Sequence, residues 1–95
     1  GNMSKNKEYM KQRSRQMQLY NLLSNFAHEV NQDWTPDWKD VSERKWYVYI
    51  DHFRTSVEIC NEDTNESLNT VYFRTQALAE QAANEIVIPF KKGEL

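Results

Sequence analysis

The long segment of residues 4–32 contains neither proline nor an internal glycine, and this constrains the fold more than any other feature of the chain. It is rich in Lys, Arg, Gln, Met, Leu and Glu, which all favour helix. At 100° per residue its apolar side chains fall on one arc, which predicts an amphipathic helix, firm over residues 14–32. That arc, the predicted apolar stripe, comprises Leu19, Leu22, Leu23, Phe26, Ala27 and Val30.

Strand patterns follow this helix. Residues 45–51 are rich in β-branched and aromatic side chains, and residues 56–61 form a second candidate strand after a turn at residues 52–55. Alternation places Trp46, Val48 and Ile50 on one face with Val57 and Ile59 of the second strand, and this face should be the core. Tyr47, Tyr49 and Asp51 share the other face with Glu58 and Cys60.

The C-terminal third predicts a short strand at residues 70–74 and then a helix that Thr75 caps. The apolar face of this helix is made of small residues, and Pro89 is expected to end it. The fold class is therefore α+β, with an N-terminal amphipathic helix, a three-stranded antiparallel β-meander and a C-terminal helix packed on one face of the sheet. A basic arm at residues 1–13, a single domain at residues 14–90 and a tail at residues 91–95 complete the organisation.

Charge is distributed unevenly. Residues 1–18 carry five Lys and Arg side chains against Glu8 alone, a net charge of +4, whereas residues 19–95 have a net charge of −6. A basic arm could contact nucleic-acid phosphates. On a helix, however, these side chains spread around the axis, so a solvated helix end is the favoured interpretation. The candidate phosphate contacts are Lys5, Lys7, Lys11, Arg13 and Arg15.

Catalytic patterns are scarce. The only two glycines are Gly1 and Gly93, which excludes glycine-rich phosphate loops and nucleophile elbows. His28 and His52 have no metal-ligand spacing around them, and the acids near Cys60 would raise the pKa of its thiol. We therefore expect no enzyme activity, no metal and no cofactor. A site near Asp37, Trp38 and Tyr49 is the distant enzymatic alternative.

The loop at residues 31–40 contains Trp34 and Trp38 beside three acids. Large aromatic side chains in a connecting loop usually fold back on the core as a lid. Tyr47, Tyr49 and Tyr72 could instead stack on single-stranded nucleic acid, but the acidic body argues against this. The candidate lid or partner-binding residues are Trp34, Asp37, Trp38, Tyr47 and Tyr49.

Three segments together resemble a family of small phage- and prophage-associated domains of unknown function. They are the Trp-Thr-Pro-Asp-Trp loop, the aromatic strand that runs into Asp51 and His52, and the joint Val-Tyr-Phe-Arg-Thr followed by Leu-Ala-Glu at residues 71–80. The resemblance covers residues 31–88. It implies a phage or prophage origin and a cytoplasmic location, and it implies no activity, cofactor or catalytic residue.

The sequence thus favours a phage-related, non-enzymatic interaction module in the cytoplasm. The apolar stripe of the first helix has more area than a small sheet can cover, so a partner chain should cover the rest, most simply a second copy in a homodimer. The candidate dimer face is Leu19, Leu22, Leu23, Phe26 and Val30. A nucleic-acid-binding accessory protein that uses residues 5–15 is the alternative. No apolar run approaches the roughly 20 residues of a membrane span, so no membrane partner is expected.

Overall fold

The computed structural model describes residues 2–51 and 56–95, together with the side chains of residues 10, 11, 13–51 and 56–95. Helix α1 spans Asn2–Asn31, and strands β1 (Lys45–Asp51) and β2 (Ser56–Glu62) follow it. The chain ends in a helical run made of α2 (Gln76–Ala82), a π-helical segment (Ala83–Val87) and α3 (Ile88–Lys91). The α+β class is confirmed.

Strands β1 and β2 form an antiparallel pair in which Val48 lies opposite Ile59 and Ile50 lies opposite Val57. Successive residues of a strand point to opposite faces, so these four side chains share one face, as the sequence predicts. Val48 and Ile59 pack against the buried core. The predicted turn at residues 52–55 lies outside the described residues.

The sheet has two strands in the described part of the chain, so the predicted three-stranded meander is not confirmed. Of the predicted third strand, only Phe73 pairs, in a single antiparallel bridge to Trp46. The two backbone hydrogen bonds of this bridge measure 3.1 and 2.7 Å. Phe73 therefore lies beside β1, whereas a meander would place it beside β2.

A side chain bonds to the Phe73 segment on the side away from β1. Asn31, buried at the end of α1, donates from Nδ2 to the carbonyl of Tyr72 (2.9 Å) and accepts at Oδ1 from the backbone N–H of Arg74 (3.0 Å). These two groups flank Phe73 on the side away from β1. The amide thus supplies the hydrogen bonds that a neighbouring strand would supply, and no further strand is needed there.

The C-terminal helical run begins as predicted, because Thr75 Oγ1 accepts from the backbone N–H of Leu78 (3.2 Å) as an N-cap. It continues past Pro89, where the sequence predicts an end. The π-helical turn just before Pro89 is wider than an α-turn, which relieves the clash that a proline ring makes with the preceding turn.

Gly93 ends this run instead. It has φ +78°, a left-handed conformation that glycine adopts without strain. Its N–H donates to the carbonyl of Phe90 (3.0 Å), and the N–H of Glu94 donates to the carbonyl of Pro89 (2.9 Å). This pair of bonds is a Schellman motif, which satisfies the last carbonyls of the helix.

The core lies between the helices and one face of the hairpin. Phe73, Ala79 and Ala82 are fully buried at its centre, and Ala27 of α1 is nearly so. The alanines let the C-terminal helix approach closely, and the Phe26 ring lies 6.2 Å from that of Phe73. The partly buried side chains that complete the core are Leu23, Phe26, Val30, Trp46, Val48, Ile59, Val71 and Leu78.

Candidate interaction surface

Helix α1 extends along much of the molecule. Its 30 residues make a rod about 45 Å long at 1.5 Å per residue, and the whole chain measures 52 × 27 × 26 Å. The apolar contacts of α1 with the core involve its C-terminal part, from Leu23 to Val30. The middle of the helix carries large apolar side chains that stay exposed: Met10 at 68%, Met17 at 59% and Tyr20 at 40%.

These exposed side chains lie on one side of α1. Met10 and Met17 are seven residues apart, which is close to two helical turns, and Tyr20 follows one turn later. Shallow surface grooves join them to polar neighbours, among them Arg13, Asn21 and, across from the helix, Asn69. We call this surface the Met10–Tyr20 face; it comprises Met10, Arg13, Met17, Tyr20 and Asn21.

The predicted dimer stripe has a different position. Leu23, Phe26 and Val30 pack against the core of their own chain. Leu22 is half-buried, and Leu19 lines a groove between α1 and β1. Most of the predicted stripe therefore serves the fold, and the large apolar side chains of α1 that face solvent, among those described, lie on the Met10–Tyr20 face.

The basic arm is the N-terminal part of the same helix. Lys11 and Arg13 are exposed, whereas the side chains of Lys5 and Lys7 lie outside the described residues. Arg15 donates from Nη2 to the carbonyl of Phe90 (3.1 Å), and its guanidinium carbon lies 4.5 Å from the centre of the Phe90 ring. Arg15 thus joins α1 to α3, so it is the least suited of the five to contact a phosphate.

The tryptophan loop covers the second face of the hairpin. The Trp38 ring meets Tyr72 edge-on with centroids 4.8 Å apart, and Tyr72 meets Tyr47 at 5.8 Å. Trp34 is half-buried as well. The loop thus contacts the aromatic side chains of that face through Trp38, while a lid on the core stays a prediction. Tyr49, 47% exposed, is the tyrosine of that face left to solvent.

Asp37 makes hydrogen bonds within the same loop. Its Oδ1 accepts from the backbone N–H of Lys39 (3.0 Å), and its own N–H donates to Oε1 of Glu43 (2.8 Å). Both bonds stabilise turns. Trp38 packs in the aromatic cluster while Tyr49 lines the groove beside α1, so the residues of the enzymatic alternative serve two different surfaces.

Lys45 is the most unusual residue of this region, and the sequence analysis misses it. Its side chain is fully buried at the start of β1. The ammonium donates to the carbonyls of Asp40 (2.9 Å) and Asp63 (2.7 Å), lies 3.8 Å from Glu43 Oε1, and sits 5.2 Å from the Trp38 ring centre. Lys45 therefore connects the loop that contains Asp40 with the segment that contains Asp63. A lysine at a strand end usually faces solvent, so no sequence signal indicates this burial.

Two pKa shifts occur near this cluster. Burial raises the pKa of the Tyr47 phenol, and the neighbouring Cys60 adds to the shift. Hydrogen bonds from the side chain and backbone of Ser42 lower the pKa of Asp40. Both shifts stabilise the protonation state that each group already has at neutral pH, so neither prepares an acid or base for catalysis.

Metal binding has no candidate here: in the described residues no group of three or more His, Cys, Asp or Glu side chains could hold an ion. His52 lies outside those residues. Likewise, none of the helices in the described ranges is long and apolar enough to cross a membrane.

Comparison of the chain with protein-family models, with curated proteins and with solved structures finds no significant match. The surface of the protein is therefore the basis for a functional proposal, and among the described side chains of α1 the exposed large apolar ones belong to the Met10–Tyr20 face.

Proposed function

We propose that this protein is a non-enzymatic interaction module that self-associates through the Met10–Tyr20 face in the middle of α1. The observation that carries the proposal is the exposure of Met10, Met17 and Tyr20 on one side of the helix. Methionine is flexible and polarisable, and it is frequent on surfaces that bind other proteins. Exposed apolar side chains at a spacing of seven residues are typical of helices that pair with another helix.

Charge favours a second copy as the partner. The first 18 residues carry +4 and the remainder carries −6. If two α1 helices pair antiparallel, the basic arm of each copy runs along the acidic body of the other. Such an arrangement is isologous, because the same surface serves both subunits, and it matches opposite charges twice.

The phage or prophage origin, the cytoplasmic location and the absence of catalysis remain part of this proposal. They rest on the resemblance of residues 31–88 and on the lack of catalytic motifs in the sequence. Nucleic-acid binding by the basic arm is the competing function. The engagement of Arg15 with Phe90 weakens it, since one of the five candidate phosphate contacts is already used.

The test is the mass of the protein in solution, measured by light scattering and sedimentation from about 1 µM to about 100 µM, a range in which small interfaces dissociate. We expect the mass to rise from that of one 11.4-kDa chain to twice that value. Met17→Glu should raise the dissociation constant at least about tenfold, because it places a charge in the apolar contact. Asn25→Glu is the matched control, since Asn25 is exposed on α1, lies eight residues beyond Met17 and points about 80° away from it around the helix axis.

Two outcomes would contradict the proposal. One is the mass of a single chain throughout this range. The other is an equal effect of the two Glu variants, which would mean that the Met10–Tyr20 face is not the contact. Tight binding of DNA that collapses between about 50 and 200 mM salt would favour the competing function instead.

A further inference from the structure

Strand β1 has a stretch of unpaired backbone on the edge away from β2. At one end of this edge, Trp46 exchanges both of its hydrogen bonds with Phe73. In antiparallel pairing, alternate residues direct their N–H and C=O groups to the same side. The N–H and C=O groups of Val48 and Ile50 therefore point to the edge where Phe73 lies, and in the described chain no residue beyond Phe73 pairs there.

This edge opens on a groove of about 220 Å³ between β1 and α1. Its lining is apolar along most of its length and includes Leu19 and Leu23 from the helix, with Val71 and Phe73 from the segment before α2. An extended peptide that adds to a sheet needs donors and acceptors for its main chain and space for every second side chain. The unpaired backbone groups and the apolar groove beside them supply both.

We propose that the β1 edge at Val48 and Ile50 binds an extended segment of a protein partner as an added strand. The four unpaired backbone groups supply its main-chain hydrogen bonds. Side chains that point to the same face as Val48 enter the groove toward Leu19 and Leu23, so the segment carries apolar residues at alternate positions. The side chains between them lie beside Tyr47 and Tyr49 on the opposite face.

Charge adds a further requirement for the segment. Gln16, Tyr20 and Asn69 line this groove and also the neighbouring one that contains Arg13. The two grooves are thus continuous, and one end of the bound segment lies near the exposed Arg13 and the basic arm. An acidic residue at that end complements this charge.

Among the residues that the structure describes, none pairs with the outer edge of β2 either, and this edge serves as an internal control. Native proteins usually protect a strand edge with lysine, proline or a covering loop. In the described chain neither lysine nor proline protects Val48 and Ile50, and the groove walls hold a peptide in position. The chain's own residues 69–71 also line the groove, and their closure onto β1 is the competing occupant.

The probe is the synthetic peptide acetyl-Glu-Glu-Thr-Val-Thr-Val-Thr-amide, titrated into ¹⁵N-labelled Met17→Gln protein. This polar substitution weakens self-association through α1 and adds no carboxylate beside Arg13, so the outcome is separate from that of the proposed function. We expect the amide signals of Val48 and Ile50 to shift and their hydrogen exchange to slow at least about tenfold, while Val57 and Ile59 on the outer edge of β2 do not change. A peptide with proline in place of the first valine should not bind, since in an antiparallel addition the valine N–H groups face β1 and proline removes one donor of the ladder.

A pair of protein variants tests the groove itself. Gln16→Trp fills it and should weaken peptide binding at least about tenfold, whereas Asn25→Trp, on the far side of α1, should not. Unchanged Val48 and Ile50 signals at millimolar peptide would overturn the proposal. Slow exchange of these two amides without peptide would overturn it as well, because residues 69–71 would then already occupy the edge.

Discussion

The side chain of Asn31 binds two backbone groups, one on each side of Phe73, and both bonds are shorter than 3.1 Å. Asn31 is 6% exposed, so water cannot easily replace these bonds. A buried polar group that is fully bonded stabilises a structure, whereas partners left unpaired cost free energy. The amide therefore fixes the segment around Phe73 against both α1 and β1.

We predict that Asn31→Ala lowers the free energy of unfolding by about 2 to 4 kcal/mol, because it leaves the Tyr72 carbonyl and the Arg74 N–H unpaired. Urea unfolding followed by circular dichroism measures this loss. Asn25→Ala on the same helix is exposed and should change the stability by no more than about 0.5 kcal/mol. Equal urea midpoints for the two variants would show that the Asn31 bonds contribute nothing.

Residues such as Asn31 and Lys45 mark the limit of what the sequence could predict. Alternation in residues 45–61 is sufficient to assign the hairpin faces, because one face must be buried. A buried asparagine or lysine follows from a long-range contact instead: Asn31 bonds to residues 41 and 43 positions away, and Lys45 bonds to Asp63. Neither residue type signals burial by itself, so the sequence gives no sign that an amide bonds to the far side of the Phe73 segment or that a lysine is buried at the start of β1.

At the scale of elements, the C-terminal ends of the two helical segments differ from what the sequence suggests. The sequence predicts that Pro89 ends the C-terminal helix, yet the π-helical turn accommodates this proline and Gly93 ends the helical run. Helix α1 ends at Asn31, and the next residue, Gln32, has φ +55°. This left-handed conformation is easy for glycine and strained for glutamine.

We predict that Gln32→Gly stabilises the protein by up to about 1 kcal/mol, since the relief of about 1 to 2 kcal/mol of strain exceeds the entropy cost of a glycine. The melting temperature should rise by several degrees, as measured by calorimetry. The same change in the middle of the helix, Gln18→Gly, should destabilise by about 1 kcal/mol. A loss of stability in both variants would mean that no strain is stored at Gln32.

Helix α1 has two apolar faces, one that packs against the core and one that is exposed, and a search for a single amphipathic pattern finds only the first. The apolar side chains of the predicted stripe between residues 23 and 30 pack in or against the core. Met10 and Met17 lie away from that stripe, so a search for one amphipathic arc passes over them. Only the position of the body along the helix reveals which apolar side chains remain in solvent.

At the scale of the whole molecule, the chain has a positive N-terminal arm and a negative body. Opposite charges on one chain attract a second copy in the antiparallel orientation, and the attraction is screened by salt. We predict that the dissociation constant of the dimer rises at least about tenfold between about 50 mM and 500 mM sodium chloride, since the screening length falls several-fold toward the size of a single contact. Sedimentation equilibrium at each salt concentration measures it.

Two exposed lysines separate arm-to-body attraction from a general effect of net charge. Lys11 belongs to the arm and Lys39 to the tryptophan loop of the body, and both substitutions by glutamate change the net charge equally. Lys11→Glu should weaken the dimer, because it removes one of the positive charges that face the partner's body. Lys39→Glu should leave the dimer unchanged or strengthen it, because this substitution makes the body more acidic.

If both variants weaken the dimer alike, repulsion between like-charged copies controls association and the arms have no specific site. If neither variant nor salt has an effect, the apolar contact of the Met10–Tyr20 face alone holds the two copies together.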